Sequence, residues 1–178
     1  MLMKTALPAL VALGVALLPA TASAATAQPT VNPVQVSPRT FAAFQNHNGG
    51  LCLDAETDAG GNPHNNGDKV QVWACIGTSQ QQWQINQNGT ITNENGGKCL
   101  DAETDAGGDP HNNGDKVQVW DCIGTLQQHW TFWSNGTITN NNGGKCLDAQ
   151  TDATHNPGAN GDRVQLWTCV GTLQQVWF

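Results

Sequence analysis

The sequence contains no tyrosine, only two methionines and few basic residues. Seven lysines and arginines stand against 14 aspartates and glutamates, which gives a formal net charge of −7 at pH 7. An acidic chain without a basic cluster repels phosphate backbones, so we expect no nucleic-acid partner. No Cys-x-x-Cys pair occurs either, and its absence disfavours a structural zinc site.

The sequence has a single long apolar run, which lies near its beginning. Residues 6–20 are almost wholly apolar, follow Lys4 and lead into a small-x-small cleavage pattern at residues 22–24. The run is shorter than the roughly 20 residues that a membrane-spanning helix needs. We therefore expect residues 1–24 to be a signal peptide and residues 25–40 to be a linker or first strand. The cleaved chain is expected to be secreted, extracellular and not inserted in a membrane.

A repeat of 47 residues organises the rest of the chain. The sequence Cys-Leu-Asp-Ala begins at residues 52, 99 and 146, and residues 45–83 match residues 92–130 at 32 of 39 positions without a gap. An even number of cysteines in an exported chain predicts disulfides, and each repeat holds two. The repeat therefore favours one bridge in each unit: Cys52–Cys75, Cys99–Cys122 and Cys146–Cys169.

Each repeat has the pattern of four short strands. In the first repeat, residues 51–53 form a brief apolar run and residues 69–73 alternate between apolar and polar side chains. Two further strands, at residues 81–85 and 90–92, flank an Asn88-Gly89 hairpin turn. No period of 3.6 extends over a dozen residues, so we expect twelve strands and no helix.

Four short strands cannot bury a core alone, so the three repeats must share one. Three-fold closure into a barrel capped by hairpins achieves this in one domain, residues 41–178. The third repeat ends at Phe178 without its last strand. We expect the segment from Val31 to Phe44 to supply that strand, so that the two ends of the domain pair. The repeats span about 41–87, 88–134 and 135–178.

Three Gln-x-Trp motifs follow the cysteine pairs in register, and end at Trp83, Trp130 and Trp177 (the motif tryptophans). Each is preceded by Cys-Leu-Asp and by an apolar-Gln-apolar-Trp segment, which ends at Trp73, Trp120 or Trp167 (the strand tryptophans). In this combination the chain resembles the ricin-type β-trefoil lectin family over residues 41–178. The resemblance implies an all-β β-trefoil of three pseudo-symmetric four-stranded repeats. It also implies carbohydrate binding, to a galactose-like sugar or a xylan-like polysaccharide.

One sugar site in each repeat is a further implication of the resemblance. A sugar presents hydroxyls around an apolar face, so a shallow site needs an aromatic plate and several polar groups. The aspartate would accept hydroxyl hydrogen bonds, the strand tryptophan would stack on the ring, and glutamines would bond around it. The candidate residues are Asp54, Gln71, Trp73, Gln80 and Gln81; Asp101, Gln118, Trp120, Gln127 and Gln128; and Asp148, Gln165, Trp167, Gln174 and Gln175.

Two features depart from the family pattern. The family usually has asparagine where this chain has Gln80, Gln127 and Gln174 (the preceding glutamines), and glutamine reaches one methylene further. The loop between Asp54 and Gln71 is also longer than usual, so it could wall or occlude the site. The third repeat changes this loop at residues 154–159, which leaves a different specificity open.

Purely structural roles compete with the binding roles. We expect the motif tryptophans to be core residues, and the glutamines at Gln81, Gln128 and Gln175 (the motif glutamines) to bond partly to the backbone near the turn. The strand tryptophans could instead be packing residues. The aspartates Asp54, Asp101 and Asp148 (the repeat aspartates) could merely hold turns.

Other functions are less well supported by the residues. Asp54 and Glu56 could act as paired carboxylates in glycoside hydrolysis, but Gln150 replaces the glutamate in the third repeat. Three similar shallow sites suit binding better than catalysis, so we expect no enzyme. Asp54, Glu56 and Asp58 resemble part of a calcium loop, but the twelfth position is Asn65, so we expect neither metal nor cofactor. The alternative is a protein-recognition β-trefoil, such as a protease inhibitor or an assembly subunit. We expect a monomer with up to three sites that act multivalently.

Overall fold

The computed structural model describes residues 31–34, 40–57, 65–104, 112–151 and 158–178. The expected signal peptide, most of the expected linker and Asp58 lie outside the described residues. Signal-peptide cleavage and secretion stay predictions. In the part of the chain that the structure describes, no helix is both long and apolar enough to cross a membrane.

Short strands and single turns of 3₁₀ helix make up the described domain, which confirms the all-β class. The strands are β1 (Cys52–Ala55), β2 (Val70–Trp73), β3 (Trp83–Ile85), β4 (Ile91–Asn93), β5 (Cys99–Ala102), β6 (Val117–Trp120), β7 (Trp130–Phe132), β8 (Ile138–Asn140), β9 (Cys146–Ala149) and β10 (Val164–Trp167). The 3₁₀ turns are η1 (Ser79–Gln81), η2 (Leu126–Gln128) and η3 (Leu173–Gln175).

Every strand pair is antiparallel, and the pairing repeats with the sequence. Two sheets have four strands, in the orders β3-β4-β5-β6 and β10-β9-β8-β7, and the third consists of β1 and β2. In β1 and β2, Asp54 lies opposite Gln71. The same register places Asp101 opposite Gln118 and Asp148 opposite Gln165. The repeated register follows from the repeated sequence of these strands, because a slip by one residue would move every side chain to the opposite face.

The expectation of twelve strands and no helix was wrong in detail. Ten strands form among the described residues, and isolated bridges stand where the other two were expected. Val176, Trp177 and Phe178 follow η3, one residue fewer than the four that lead from the end of η1 to the end of β3. The 3₁₀ turns were missed because three residues leave no helical periodicity in a sequence.

The two ends of the domain pair as expected, although the paired residues are 45–47. Asn46 forms a bridge with Trp177. The Gln45 amide donates to the Phe178 carbonyl at 2.8 Å, and the Phe178 amide donates back to the Gln45 carbonyl at 3.1 Å. These bonds join the first repeat to the third, so the barrel closes.

The motif tryptophans form the centre of the core, as expected. Trp83 is fully buried, and Trp130 and Trp177 are nearly so. Each indole Nε1 donates to the carbonyl of a core leucine of its own repeat at 3.0 Å. Each tryptophan amide donates to a backbone carbonyl that lies 41 residues earlier in the chain: Ala42, Gly89 and Gly136. Each motif tryptophan therefore both fills the core and links two segments of the backbone.

One disulfide in each repeat connects the first strand to the loop after the second: Cys52–Cys75, Cys99–Cys122 and Cys146–Cys169. This is the pairing that the repeat favoured. Each bridge closes a loop between cysteines 23 residues apart. On the chain-entropy model such a loop contributes roughly 3 kcal/mol to stability.

Neighbouring repeats are also joined by backbone pairing near the start of β2, β6 and β10. The Gly67 amide donates to the Val119 carbonyl at 2.9 Å, and the Val119 amide donates to the Asp68 carbonyl at 3.0 Å. Equivalent bonds connect the second repeat to the third and the third to the first. The three repeats thus form a closed ring of mutual contacts.

Replacing Gly136 with alanine should destabilise the domain more than the same change at Gly89, one repeat earlier. Both glycines have positive φ, +83° and +85°, so both substitutions strain the backbone. A β-carbon at Gly136 would lie 2.8 Å from Val176 Cγ1 and 3.2 Å from the Trp177 carbonyl oxygen, whereas the nearest atom at Gly89 is 3.5 Å away. We expect an additional loss of about 1 kcal/mol at Gly136, measured by denaturant unfolding. Equal losses for the two variants would contradict this packing argument.

Candidate functional site

Each repeat has one shallow cavity at the paired ends of its first two strands. The cavity volumes are about 220 Å³ in the first repeat, 290 Å³ in the second and 400 Å³ in the third. In all three, the repeat aspartate, the glutamine opposite it, the strand tryptophan and the preceding glutamine line the wall. The structure therefore brings together four of the five candidate residues of every repeat.

The floor of each cavity is a buried carboxylate paired with a buried amide. Asp54 is 3% exposed, and Gln71 across the strand pair is 6% exposed. The Gln71 Nε2 donates to Asp54 Oδ1 at 2.9 Å, and the equivalent bonds in the other repeats are 3.0 Å. Hydrogen bonds to an ionised acceptor are about twice as strong as neutral ones, so this floor suits recognition of hydroxyl groups.

In the third repeat, both carboxylate oxygens of Asp148 accept hydrogen bonds from glutamines. Its Oδ1 accepts from Gln165, and its Oδ2 accepts from Nε2 of the motif glutamine Gln175 at 3.0 Å. Burial raises the pKa of Asp148 above its usual value, and the bonds from the two glutamines counteract part of the rise. The carboxylate of the third cavity is thus held in place from both sides.

The strand tryptophans stand at the cavity wall and remain accessible. Trp73 and Trp167 are 37% and 38% exposed, and Trp120 is half-buried. Each indole lies against a glycine of a neighbouring repeat. A β-carbon at Gly161 would approach Trp73 Cζ3 to 3.7 Å, and one at Gly67 would approach Trp120 Cζ3 to the same distance. The apolar wall of one site therefore depends on the backbone of another repeat.

Three asparagines that the sequence reasoning missed hold the ends of the second strands. The Asn160 Oδ1 accepts from the Ala74 amide at 2.7 Å, next to Trp73. The other two, Asn66 and Asn113, bond in the same way to the residue that follows the strand tryptophan of the next repeat. A signal was present, since Asn-Gly-Asp recurs at 66–68, 113–115 and 160–162.

The motif glutamines are fully buried and bond to the backbone. The Gln81 Oε1 accepts from the amides of Ile76 and Gly77, at 2.8 and 3.2 Å, and its Nε2 donates to the Ala74 carbonyl at 2.9 Å. Gln128 and Gln175 repeat this arrangement. Their position is that of structural supports for the loop behind the strand tryptophan.

Additional polar side chains line the cavities next to the candidate set. Glu56 and Thr57 line the first cavity, and Glu103 and Thr104 line the second. In the third cavity Gln150 and Thr151 take these places. Within the described ranges, no group of three or more His, Cys, Asp and Glu side chains is arranged to hold a metal ion.

The three cavities have the same design, and each has a buried carboxylate below an accessible indole. Together with the three-fold all-β fold, they define a β-trefoil of the carbohydrate-binding class. The ricin-type beta-trefoil lectin domain matches residues 40–177. The chain therefore belongs to the ricin-type β-trefoil lectin family. This membership supports carbohydrate binding as its general function.

Solved structures of the same fold support this assignment. The chain is similar to the agglutinin from Abrus precatorius, with 26% identity and a TM-score of 0.61 over 82% of this chain and 49% of that one. It is similar in fold to the designed three-fold symmetric protein ThreeFoil, with 21% identity and a TM-score of 0.64 over 77% of this chain and 95% of that one. The C-half of an earthworm R-type lectin, solved in complex with GalNAc, has 21% identity and a TM-score of 0.59 over 79% of this chain and 97% of that one. Comparison with curated proteins finds no match.

Replacing Gln128 with alanine should lower stability, whereas replacing its neighbour Gln127 should not. Loss of the Gln128 amide leaves the Ile123 and Gly124 amides and the Asp121 carbonyl without their partner. Unsatisfied buried polar groups cost about 1–3 kcal/mol, so we expect a loss of about 2–3 kcal/mol in denaturant unfolding. Gln127 is half-buried in the cavity wall and serves as the matched control. Equal stability of the two variants would show that Gln128 is not a support.

Proposed function

We propose that this chain is a secreted, non-catalytic lectin that binds glycans through three sites at once. The observation that carries the proposal is the threefold recurrence of an Asp–Gln pair beneath an accessible tryptophan. A core needs large apolar side chains, but it does not need a buried carboxylate in each of three surface cavities. Packing alone gives no reason for this arrangement, and recognition of hydroxyl groups does.

The chemistry of each cavity matches one sugar ring. The buried carboxylate accepts hydrogen bonds from neighbouring hydroxyls, and the indole face covers the apolar C–H surface of the ring. The preceding glutamine, half-buried at the edge, provides both a donor and an acceptor for a further hydroxyl. Galactose-type sugars are the first class to test, because similar folds were solved with GalNAc and with α-methyl-D-galactoside bound. Xylan-type polysaccharides are the second.

Binding strength in this design comes from the number of sites. A shallow cavity that buries one sugar ring gives weak affinity, roughly millimolar. Three sites on one rigid body raise avidity by about 10² to 10⁴ when the glycan repeats. This favours a polysaccharide or a glycan-coated surface over a free monosaccharide, and it requires no second copy of the chain.

Substituting Asp54, Asp101 and Asp148 together with asparagine should abolish glycan binding. Asparagine keeps the side-chain volume but removes the charge that strengthens the hydroxyl bonds. The test is a glycan array probed with the oxidised chain and the triple variant, with circular dichroism to establish that both are folded. Matched controls are the three single variants, each of which should keep part of the binding because two sites remain intact.

Two results would contradict the proposal. Binding that survives in the folded triple variant would place the site elsewhere. A folded parent chain that binds no glycan would favour the protein-recognition alternative, and pull-down with candidate proteases would then follow.

Sugar binding at the third site should weaken on acidification. The hydroxyl bonds need the ionised form of Asp148, and burial has raised the pKa of this group above its usual value of 3.8. In the absence of sugar, burial disfavours the ionised form of Asp148. This group therefore lowers folding stability progressively as pH rises from 3.8 through its folded-state pKa. Titration of the Trp167 indole signal with sugar at pH 7 and near pH 4 measures the effect. An unchanged affinity across this range in the folded chain would rule it out.

A further inference from the structure

At the edge of each of the first two cavities, the glutamate that lines the wall forms an ion pair with a lysine that lies outside the lining. Lys69 Nζ lies 3.4 Å from Glu56 Oε1, and Lys116 Nζ lies 3.4 Å from Glu103 Oε1. Each ammonium also donates to a glycine carbonyl of a neighbouring repeat, as Lys69 does to Gly161 at 3.2 Å. Both the lysine and the glutamate at this edge therefore already interact with groups of the protein itself.

The third repeat replaces both members of this pair. Gln150 stands in the place of the glutamate, and Arg163 stands in the place of the lysine. The Gln150 amide donates to the Arg163 carbonyl at 2.9 Å, so the two residues face each other across the strand pair as Glu56 and Lys69 do. Directly opposed residues have side chains close enough to act on one ligand.

Arg163 carries a charge that no described residue neutralises. Its Nε is buried without a hydrogen-bond partner among the described residues, and no described carboxylate forms an ion pair with it. An arginine side chain remains charged at any physiological pH, and a buried donor without a partner is unfavourable. A guanidinium in this state favours an anionic acceptor, for which its planar fork is suited.

The third cavity is also the one that best admits an anion. It is the largest of the three, at about 400 Å³, and Gln150 and Thr151 are neutral parts of its wall. In the first two cavities a second carboxylate, Glu56 or Glu103, would repel an acidic ligand.

We propose that the third site takes a sugar that bears a carboxylate, a uronic acid, with Arg163 binding the carboxylate and Gln150 beside it, whereas the first two sites take neutral sugars. This inference rests on the proposed lectin function. The chain would then bind polysaccharides in which acidic and neutral sugars alternate. Arg163 and Gln150 are then specificity-determining residues outside the candidate set.

The test is a nuclear magnetic resonance titration of the oxidised chain with methyl glycosides of neutral sugars and of the corresponding uronic acids. The probes are methyl galactoside, methyl glucoside, methyl galacturonide and methyl glucuronide. The indole Nε1 signals of Trp73, Trp120 and Trp167 report the three sites separately. At Trp167 we expect a uronide to bind about five-fold more tightly than its neutral counterpart, and the preference should shrink with added salt. At the other two tryptophans the preference should be reversed.

Two variants should change the preference for a uronide over a neutral sugar without altering the aspartate of the site. Gln150→Glu restores the ion pair of the first two repeats at an exposed position, and it should remove the uronide preference at Trp167. The double change Glu56→Gln and Lys69→Arg copies the third edge onto the first site, and it should create the preference at Trp73. Circular dichroism establishes that both variants are folded.

The outcomes separate this inference from the proposed function. If neutral sugars shift the tryptophan signals but uronides gain nothing at Trp167, the inference is overturned and the lectin function stands. If no sugar of either kind shifts any of the three signals, the proposed function itself fails. A uronide preference at Trp167 that persists in Gln150→Glu would show that Arg163 is not its source.

Discussion

Backbone hydrogen bonds between neighbouring repeats are the constraint on which the rest of this structure depends. A single repeat has too few apolar side chains to bury a core, so each loop before β2, β6 and β10 pairs with a strand of the adjacent repeat. The ring closes where the Gly161 amide donates to the Val72 carbonyl at 2.9 Å and the Val72 amide donates to the Asp162 carbonyl at 2.8 Å. The same contacts bring a glycine against each strand tryptophan and an asparagine against the residue after it. Core and binding sites are therefore assembled by one set of bonds.

The cavities divide their polar residues between contact and support. Glutamine occurs at three positions of every repeat, with different roles at each. The strand glutamine orients the carboxylate, the preceding glutamine lines the cavity, and the motif glutamine is buried and holds the loop. In the third repeat the motif glutamine also reaches the aspartate, through the 3.0 Å bond from Gln175 to Asp148. A rigid, buried support allows a shallow surface site to keep its geometry without a bound ligand.

Repeats of nearly identical sequence need not recognise identical ligands. The first two repeats keep the same glutamate and lysine at the cavity edge, whereas the third has Gln150 and Arg163. These changes leave the Asp–Gln pair and the strand tryptophan in place, so the common chemistry of hydroxyl recognition is retained. Altering the charge at the cavity edge changes whether a bound sugar can carry a charged group such as a carboxylate. Under the proposed function, divergence of this kind would let one small domain bind a polysaccharide that contains different sugars.

The sequence by itself determined the period, the disulfide pairing, the all-β class and the core position of the motif tryptophans. These follow from local patterns: the spacing of cysteines, the alternation of apolar residues and the recurrence of Cys-Leu-Asp and Gln-x-Trp. Tertiary structure alone decided that Gln81, Gln128 and Gln175 are buried supports, since burial depends on neighbours that are distant in sequence. It also decided that residues of different repeats, such as Gly161 and Trp73, are neighbours. A pattern along the chain specifies which residues recur, but ring closure determines which residues of different repeats meet, because those contacts join positions that are distant in sequence.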